Sequence, residues 1–454
     1  MGWVFWFYSA PSDHDKETRR DAVELKRTQL AVAREKAVVV GVASGTADFV
    51  QESLDELKRL AATAGARVIG ELVQHLRAPN PATYLGTGKV EELAGLCRAL
   101  NADVIIFDVE LSASQLRNLE RATDRKVVDR AELILDIFAQ GARTAMACDQ
   151  VELAQLEYTF PRLVRMWTHL ERIEGGIGMR GPGERQIETD RRLVRKRIKD
   201  LKQRIGRNLR RREVEVRGRQ DEFTVCLVGY TNAGKSTLMN ALTQAGVFAG
   251  DKLFATLDTR TRVLDLGEGR RALLSDTVGF IRKLPHHLVA SFQATLAEAR
   301  EADMLLHVVD ASSGHAEHEM AAAMEVLEEM ECEEHAILPV YNKMDALEDE
   351  SMLPLLRHRF GEGVCVSALS GEGLETLRGR IREACDSRSA TLHIEMPPAA
   401  GRLQAYLMEH GEVLEEEYGA EQVEMDVRIG KRHIGAIRRM GGRISGNGQD
   451  VEEE

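Results

Sequence analysis

No stretch of the chain approaches the roughly 18 consecutive apolar residues that a membrane-spanning helix needs. The short apolar stretch over residues 3–8 has no basic residue before it, so it resembles a secretory signal peptide poorly. The six cysteines lie far apart without a CxxC pair, which argues against a zinc site and is typical of reduced cysteines. These absences predict a cytoplasmic protein without a membrane-spanning segment, and peripheral membrane association stays open.

The charge of the chain is unevenly distributed. The 454 residues have a formal net charge of −12, yet residues 180–219 carry 16 Lys or Arg against 6 Asp or Glu. So basic a segment favours RNA as a partner; the alternative is a solvated helix whose charges only keep it in solution. No aromatic ladder accompanies this segment, since Tyr158 and Trp167 stand nearly alone, which favours structured RNA over a single strand that stacks on aromatic side chains.

The pattern of apolar residues predicts a multidomain α/β protein. After an extension over residues 1–37 that we expect to be flexible, residues 38–146 alternate apolar runs with amphipathic stretches, which predicts a parallel sheet covered by helices. The predicted strands cover 38–42, 67–72, 104–107 and 126–128, and the predicted helices cover 49–64, 90–100 and 114–122.

A helical hairpin is predicted for residues 147–220, where the strand signal disappears. One apolar stripe recurs there at helical spacing, formed by Val194, Ile198, Leu201, Ile205 and Leu209. A partner helix over about 149–170 and a Gly- and Pro-rich segment at 175–184 predict an antiparallel arrangement with a glycine-rich tip. Because the stripe faces the partner helix, we expect the arginines to point outward.

Two more domains follow the hairpin. Residues 221–390 return to α/β alternation, which predicts a mostly parallel sheet. Residues 391–454 predict a small α+β domain with a helix, an acidic turn, a strand over 423–429, a basic helix and a disordered tail.

Residues 229–237 read GYTNAGKST between an apolar strand and a helix, which is the GxxxxGKS phosphate-binding loop in its required context. Backbone N–H groups of such a loop surround the phosphates. We expect Lys235 to contact the β- and γ-phosphates and Ser236 to ligate Mg²⁺. The predicted phosphate-binding residues are Gly229, Tyr230, Thr231, Asn232, Ala233, Gly234, Lys235, Ser236 and Thr237.

Two later segments fit the same nucleotide. Residues 276–279 read DTVG at a predicted strand end, where the acid orients a Mg²⁺-bound water and the glycine senses the γ-phosphate. In the loop 253–262, Thr256 is the predicted second Mg²⁺ ligand; Thr259 and Thr261 are the alternatives, whose hydroxyls would only cap turns. The predicted contacts are Phe254, Ala255, Thr256, Leu257, Asp258, Asp276, Thr277, Val278 and Gly279.

The base is predicted to be guanine. Residues 342–345 read NKMD, and Asp345 can accept hydrogen bonds from the ring N–H and the exocyclic amine that guanine has and adenine lacks. SAL at 367–369 closes the pocket. The predicted base contacts are Asn342, Lys343, Met344, Asp345, Ser367, Ala368 and Leu369. Together the four signatures predict a P-loop GTPase that binds GTP and GDP with Mg²⁺, with Lys235, Thr256, Asp276 and Gly279 as the catalytic set.

Hydrolysis needs a group that the sequence does not supply in the usual place. Phe280 follows DTVG, where many small signalling GTPases have a glutamine that orients the attacking water, so we expect slow intrinsic turnover completed by a partner. Asn232 resembles the asparagine of GTPases that recruit K⁺ in place of an arginine finger. The alternative is that asparagine merely tolerates a tight turn.

Four stretches outside the nucleotide motifs resemble the HflX family of translational GTPases. They are YLGTGKVEEL at 84–93, VVDRAELILDIFAQGART at 127–144, QVELAQLEY at 150–158 and GGIGMRGPGERQIETDRR at 175–192. The resemblance covers about residues 38–390. It implies an N-terminal α/β domain, a helical linker, a GTPase domain and a small C-terminal domain.

The same resemblance implies binding to the large (50S) ribosomal subunit and its rRNA, with separation of stalled or idle 70S ribosomes under stress. We expect a monomer, and the tentative rRNA contacts are Arg180, Arg185, Arg191, Arg192, Arg195 and Arg197. A ribosome-assembly GTPase and a non-hydrolysing RNA-binding scaffold are the alternatives. The resemblance also implies a weak ATPase in the N-terminal part, but GTGK at 86–89 lacks the GxxxxGK spacing, so we interpret it as a turn and a helix start.

Overall fold

The computed structural model describes residues 35–43, 47–166, 182–217, 222–243, 260–267, 270–282, 298–329, 332, 336–349, 351–419 and 422–445. Most of the predicted flexible extension, most of the glycine-rich tip and the predicted tail lie outside these residues. Within the described part of the chain, no helix is both long and apolar enough to cross a membrane.

The first domain is a four-stranded parallel sheet in the order β2–β1–β3–β4, as predicted. Its strands are β1 (Lys36–Ala43), β2 (Arg67–His75), β3 (Val104–Phe107) and β4 (Lys126–Asp129), and its helices are α1 (Ala47–Thr63), α2 (Thr87–Leu100), α3 (Ala113–Thr123) and α4 (Arg130–Gly141). Local chemistry fixes the helix starts: Ser112 forms a capping box with Gln115, and Asp129 accepts a hydrogen bond from the backbone N–H of Glu132.

The GTGK segment is a turn and a helix start, as predicted. Gly86 is the N-cap of α2 with an extended backbone, and its N–H donates to Gln74 Oε1 over 3.2 Å. Lys89 Nζ lies 2.9 Å from Glu92 Oε1 on the same helix. The lysine therefore pairs along its own helix and does not serve a phosphate loop here.

The second domain is a helical hairpin of α5 (Ala145–Met166) and α6 (Pro182–Arg217). Four of the five predicted stripe residues pack in its core, which comprises Leu153, Leu156, Ile198, Leu201, Ile205 and Leu209. Asp149 pairs with Arg204, whereas Phe160, near the other end of α5, lies under Arg195 at 5.3 Å from its ring centroid. This order of contacts makes the two helices antiparallel, as predicted.

Arg197 is exposed, as expected for the arginines of α6, but it also pairs with the partner helix. Its Nε and Nη2 atoms donate to the two carboxylate oxygens of Glu152 over 2.6 and 2.7 Å. Arg197 follows Val194 by three positions, so it lies beside the stripe, where a long side chain reaches across the helix pair. The fork of the guanidinium matches the carboxylate, so this residue stabilises the hairpin.

The third domain has a six-stranded sheet in the order β10–β9–β8–β5–β7–β6, parallel except for the β6–β7 pair. Its strands are β5 (Phe223–Val228), β6 (Arg260–Gly267), β7 (Arg270–Asp276), β8 (Met304–Asp310), β9 (Ala336–Asn342) and β10 (Val364–Cys365). Its helices include α7 (Lys235–Thr243), α8 (Ala316–Glu329), α9 (Met352–Phe360) and α10 (Leu374–Arg388). The strand ends that carry the predicted motifs meet at one edge of this sheet.

The fourth domain is a four-stranded antiparallel sheet in the order β12–β13–β11–β14 with two helices. It comprises β11 (Ser389–Met396), α11 (Gly401–His410), β12 (Gly411–Tyr418), β13 (Val423–Gly430), α12 (Ile434–Arg439) and β14 (Arg443–Ser445). The predicted acidic turn is wrong, because its glutamates lie on edge strand β12. Charged side chains on an exposed edge strand oppose pairing with other chains.

A buried ionic network joins the first and third domains. Arg130 at the start of α4 donates from Nη2 to Glu56 Oε2 over 2.5 Å and from Nη1 to Asp108 Oδ1 over 2.7 Å, and these three side chains are at most 3% exposed. The other carboxylate oxygen of Glu56 accepts a hydrogen bond from the hydroxyl of Tyr230, which belongs to the third domain. Arg130 Nη2 also donates to the backbone oxygen of Arg282 over 3.0 Å.

One apolar core surrounds this network and continues through the junction. It includes Val39 and Leu54 from the first domain, and Phe280 and Leu305 from the third. The two domains therefore share a core and form one packed unit.

We expect Arg130→Ala to lower the free energy of unfolding by about 3–5 kcal/mol, because it leaves two buried carboxylates without their cation. The first transition in urea denaturation measures this loss. Arg98→Ala, an exposed arginine on α2, is the matched control, with an expected change within about 0.5 kcal/mol. Equal stability of the two variants would contradict the role of the network.

Candidate guanine-nucleotide and magnesium site

The phosphate loop connects β5 to α7 through residues 229–234. Gly229 has φ +139°, and a Cβ there would lie 2.2 Å from the backbone oxygen of Val308. Gly234 has φ +95°, and a Cβ there would lie 2.3 Å from Asn342 Nδ2. Both positions therefore require glycine, and the neighbouring strands hold the loop close to the base motif.

Lys235 lies inside this loop. It is 6% exposed, and its Nζ donates to the backbone oxygens of Gly229 and Tyr230 over 2.9 and 2.8 Å. Burial lowers the pKa of Lys235 to about 8, and the nearby Asp276 carboxylate opposes that shift. Phosphate oxygens would replace the two carbonyl oxygens as partners and stabilise the charged amine.

The predicted magnesium ligands meet at the ends of two strands. Ser236 Oγ donates to Asp276 Oδ2 over 2.6 Å, and Asp276 is fully buried. A hydroxyl and a carboxylate beside a triphosphate are the hard oxygen donors that Mg²⁺ prefers, so this pair fits the ion. Residues 254–258, with the predicted ligand Thr256, lie outside the described residues, as does Thr259. Thr261 lies on β6 with its hydroxyl 2.9 Å from that of Ser275, away from the predicted ligand pair.

The segment after Asp276 joins the phosphate loop through its backbone. The N–H of Phe280 donates to the oxygen of Gly229 over 3.0 Å, and the N–H of Thr231 donates to the oxygen of Phe280 over 2.8 Å. A Cβ on Gly279 would lie 2.6 Å from Thr231 Cα and 3.0 Å from Lys235 Nζ. Any side chain at Gly279 would therefore displace the lysine or the loop.

Several predicted contacts turn their side chains away from the nucleotide. The Thr277 hydroxyl donates to the oxygen of Leu227 over 2.7 Å, Val278 packs in the apolar core, and Met344 packs beside β9. Tyr230 points to Glu56 of the first domain. These residues would contact nucleotide only through the backbone, whereas the side chain of Leu369 is 81% exposed.

The predicted base-binding residues are assembled around Asn342. Its Nδ2 donates to the oxygen of Ala233 over 2.9 Å, and its Oδ1 accepts from the N–H of Ala368 over 3.0 Å. Asp345 accepts a hydrogen bond from Ser367 Oγ over 2.5 Å. Lys343 has φ +64°, and its Nζ lies 2.5 Å from Asp310 Oδ2. The phosphate loop and the base pocket are thus one hydrogen-bonded unit.

Sequence reasoning missed Glu56, Arg130 and Arg282 as neighbours of the site. Glu56 accepts from the Tyr230 hydroxyl, and Arg130 donates to the backbone oxygen of Arg282 over 3.0 Å. The first domain therefore contacts both the phosphate loop and the segment after DTVG. The one sequence signal for this contact was Tyr230 inside the phosphate loop, because a large aromatic side chain is not needed there to bind phosphate.

We expect Asp345→Asn to weaken GTP binding by at least about 100-fold, because hydrogen bonds to a charged group contribute about 1.5–3 kcal/mol each. The amide presents a donor to the guanine amine, whereas xanthine has a carbonyl there, so affinity for xanthosine triphosphate should rise. Competition with a fluorescent nucleotide measures both affinities. Glu348→Gln, three residues further and exposed, is the control; unchanged GTP affinity in Asp345→Asn would contradict the assignment.

Three family models match the chain in the order of its domains. They are described as GTP-binding GTPase N-terminal over residues 51–139, GTP-binding GTPase Middle Region over 141–219, and 50S ribosome-binding GTPase over 224–343. Among solved structures, one titled as SsGBP in complex with GDP matches with a TM-score of 0.43 and 23% identity, covering 77% of this chain and 98% of its own.

Curated relatives match nearly the whole chain. GTPase HflX of Magnetococcus marinus is 47% identical over 410 residues, which are 90% of this chain and 94% of the relative. GTPase HflX of Escherichia coli is 46% identical over 379 residues, which are 82% of this chain and 88% of the relative. With these matches and an assembled guanine-nucleotide site, the chain belongs to the HflX family of GTP-hydrolysing P-loop GTPases.

Proposed function

We propose that this GTPase binds the large ribosomal subunit through rRNA and separates stalled or idle 70S ribosomes, acting in the cytoplasm as a monomer. The match of residues 224–343 to a family described as 50S ribosome-binding GTPase carries the proposal. The basic hairpin supports it, because arginines on a long helix can neutralise the phosphates of structured RNA. GTP and Mg²⁺ order the segment 254–258, the ordered form docks, and hydrolysis releases it.

The surroundings of Phe280 support hydrolysis that depends on a partner. Phe280 is 4% exposed and packs in the core, with its backbone paired to the phosphate loop. Its side chain offers no group to orient the attacking water, so the ribosome either supplies that group or moves one of this chain into position.

The test of this function is phosphate release from GTP with and without purified 50S and 70S particles, together with gradient profiles. We expect strong stimulation and splitting of 70S into subunits. Stimulation without splitting would favour an assembly or surveillance role over dissociation. A rate that neither particle changes would contradict ribosome binding itself.

The exposed arginines of α6 provide a sharper test. Arg192 is exposed, and Arg195 is exposed over the ring of Phe160. We expect Arg192→Glu with Arg195→Glu to abolish ribosomal stimulation without changing affinity for GDP, because the reversed charges repel rRNA phosphates. The charge-preserving pair Arg192→Lys with Arg195→Lys is the control. Arg197 is left intact because it stabilises the hairpin through Glu152, and full stimulation in the reversed pair would contradict the RNA contact.

We also propose that K⁺ acts beside Asn232 in place of an arginine finger. Asn232 is half-buried in the phosphate loop with φ +63°, a conformation that favours asparagine or glycine, so the turn alone also accounts for it. We expect turnover in KCl to exceed that in NaCl by about tenfold, which corresponds to 1.4 kcal/mol. Asn232→Gly keeps the turn and removes the side-chain oxygen, so it should remove the difference; equal wild-type rates would contradict the proposal.

A further inference from the structure

Two histidines of the third domain face a buried carboxylate of the first domain. Glu52 on α1 is 4% exposed. His315 immediately precedes α8, and His318 lies in its first turn. The Nδ1 atom of His315 is 3.3 Å from Glu52 Oε1, and that of His318 is 3.6 Å from Glu52 Oε2. One ligand atom from each residue can be chosen so that all lie within 4.8 Å of one another.

Local structure holds the two histidines in place. The N–H of His315 donates to Ser313 Oγ over 3.2 Å, and the backbone oxygen of His315 accepts from the N–H of Glu319 over 3.0 Å, which begins the helix. Residues three apart lie on the same face of a helix, so both imidazoles lie on one side of the first turn. Glu52 is held from the opposite side, because α1 is fixed by the pairing of Glu56 with Arg130.

The spacing fits a metal ion better than a direct ion pair. A good N–H···O bond measures about 2.7–3.2 Å, which is shorter than either contact. A tetrahedral Zn²⁺ with bonds of about 2.0–2.1 Å holds its ligand atoms about 3.3 Å apart. Two imidazoles and one carboxylate are also a donor set that Zn²⁺ and neighbouring divalent ions accept, with remaining positions open to water.

We propose that Glu52, His315 and His318 bind a late first-row divalent cation of the Zn²⁺ class, which bridges the first and third domains. The widely spaced cysteines disfavour a thiolate zinc site, whereas this site uses only imidazole and carboxylate ligands. Glu52 is more than 250 residues from the two histidines in sequence, and it reaches them because α1 and α8 contribute to the same apolar core.

Arg282 orients the carboxylate. Its Nη2 donates to Glu52 Oε1 over 2.6 Å, so Arg282 holds the oxygen that faces His315. We assign the other oxygen, Oε2, which faces His318, to the cation. An outer partner of this kind fixes the orientation of a ligating carboxylate. The backbone N–H of Arg282 donates to the Tyr230 hydroxyl, so the metal site is connected to the phosphate loop through a single residue.

The test uses the full chain after chelator treatment, saturated with Mg²⁺ and GDP so that the nucleotide site retains its own ion. Titration with Co²⁺, followed by its visible d–d absorption, and with Zn²⁺, followed by calorimetry, gives stoichiometry and affinity. We expect the wild type to bind one equivalent and His315→Ala with His318→Ala to bind at least tenfold more weakly. Zn²⁺ should raise the thermal midpoint of the wild type but not of the double variant.

The control is His358→Ala, an exposed histidine on α9 that should bind as the wild type does. All variants keep the six cysteines, so residual thiolate binding is the same in each. Glu52→Gln tests the ligand from the first domain, and its affinity for Co²⁺ and Zn²⁺ should fall as that of the histidine double variant does. A double variant that folds, binds GDP and binds Co²⁺ as tightly as the wild type would overturn the proposal. A wild type that binds neither Co²⁺ nor Zn²⁺ would also overturn it.

Discussion

The carboxylate of Glu56 is the group on which the joining of the two α/β domains depends. It is 1% exposed, with Arg130 of its own domain on one oxygen and Tyr230 of the GTPase domain on the other. Leaving a buried carboxylate without its partners costs several kcal/mol of stability. Separating the domains would remove the Tyr230 hydrogen bond from Glu56, and water would have to replace it. The apolar core also continues across the junction. Hydrogen bonding of Glu56 and burial of apolar surface therefore stabilise the same docked arrangement of the two domains.

This junction brings the first domain to the part of the GTPase domain that is predicted to respond to nucleotide. Tyr230 belongs to the phosphate loop, and Phe280 and Arg282 follow the predicted γ-phosphate sensor. All three contact the first domain or pack in the shared core. Movement of Gly279 toward a γ-phosphate would therefore shift residues at the junction, because the neighbouring Phe280 is hydrogen-bonded through its backbone to both Gly229 and Thr231. Close packing transmits such displacements instead of absorbing them.

The arginines of α6 in the hairpin fall into two groups, those that pair with the partner helix and those that face solvent. The apolar stripe, including Leu201 and Ile205, is buried between the helices, and Arg197 and Arg204 pair with acids of the partner helix. Arg192 and Arg195 remain toward solvent. A count of basic residues cannot separate these roles, because side chains beside the stripe reach acids that only the folded hairpin brings near.

The local elements and the preference for a guanine nucleotide follow from the amino-acid sequence alone. Strand and helix periods, the glycines of the phosphate loop, and the order GKS, DTVG, NKMD and SAL depend on neighbours within a few residues, so they can be read along the chain. Tertiary structure alone decided that Tyr230 points to Glu56, that Arg197 pairs with Glu152, and that the acidic segment at 411–418 is an edge strand. Each depends on residues distant in sequence, and their approach is set by the packing of whole elements, which no local pattern encodes.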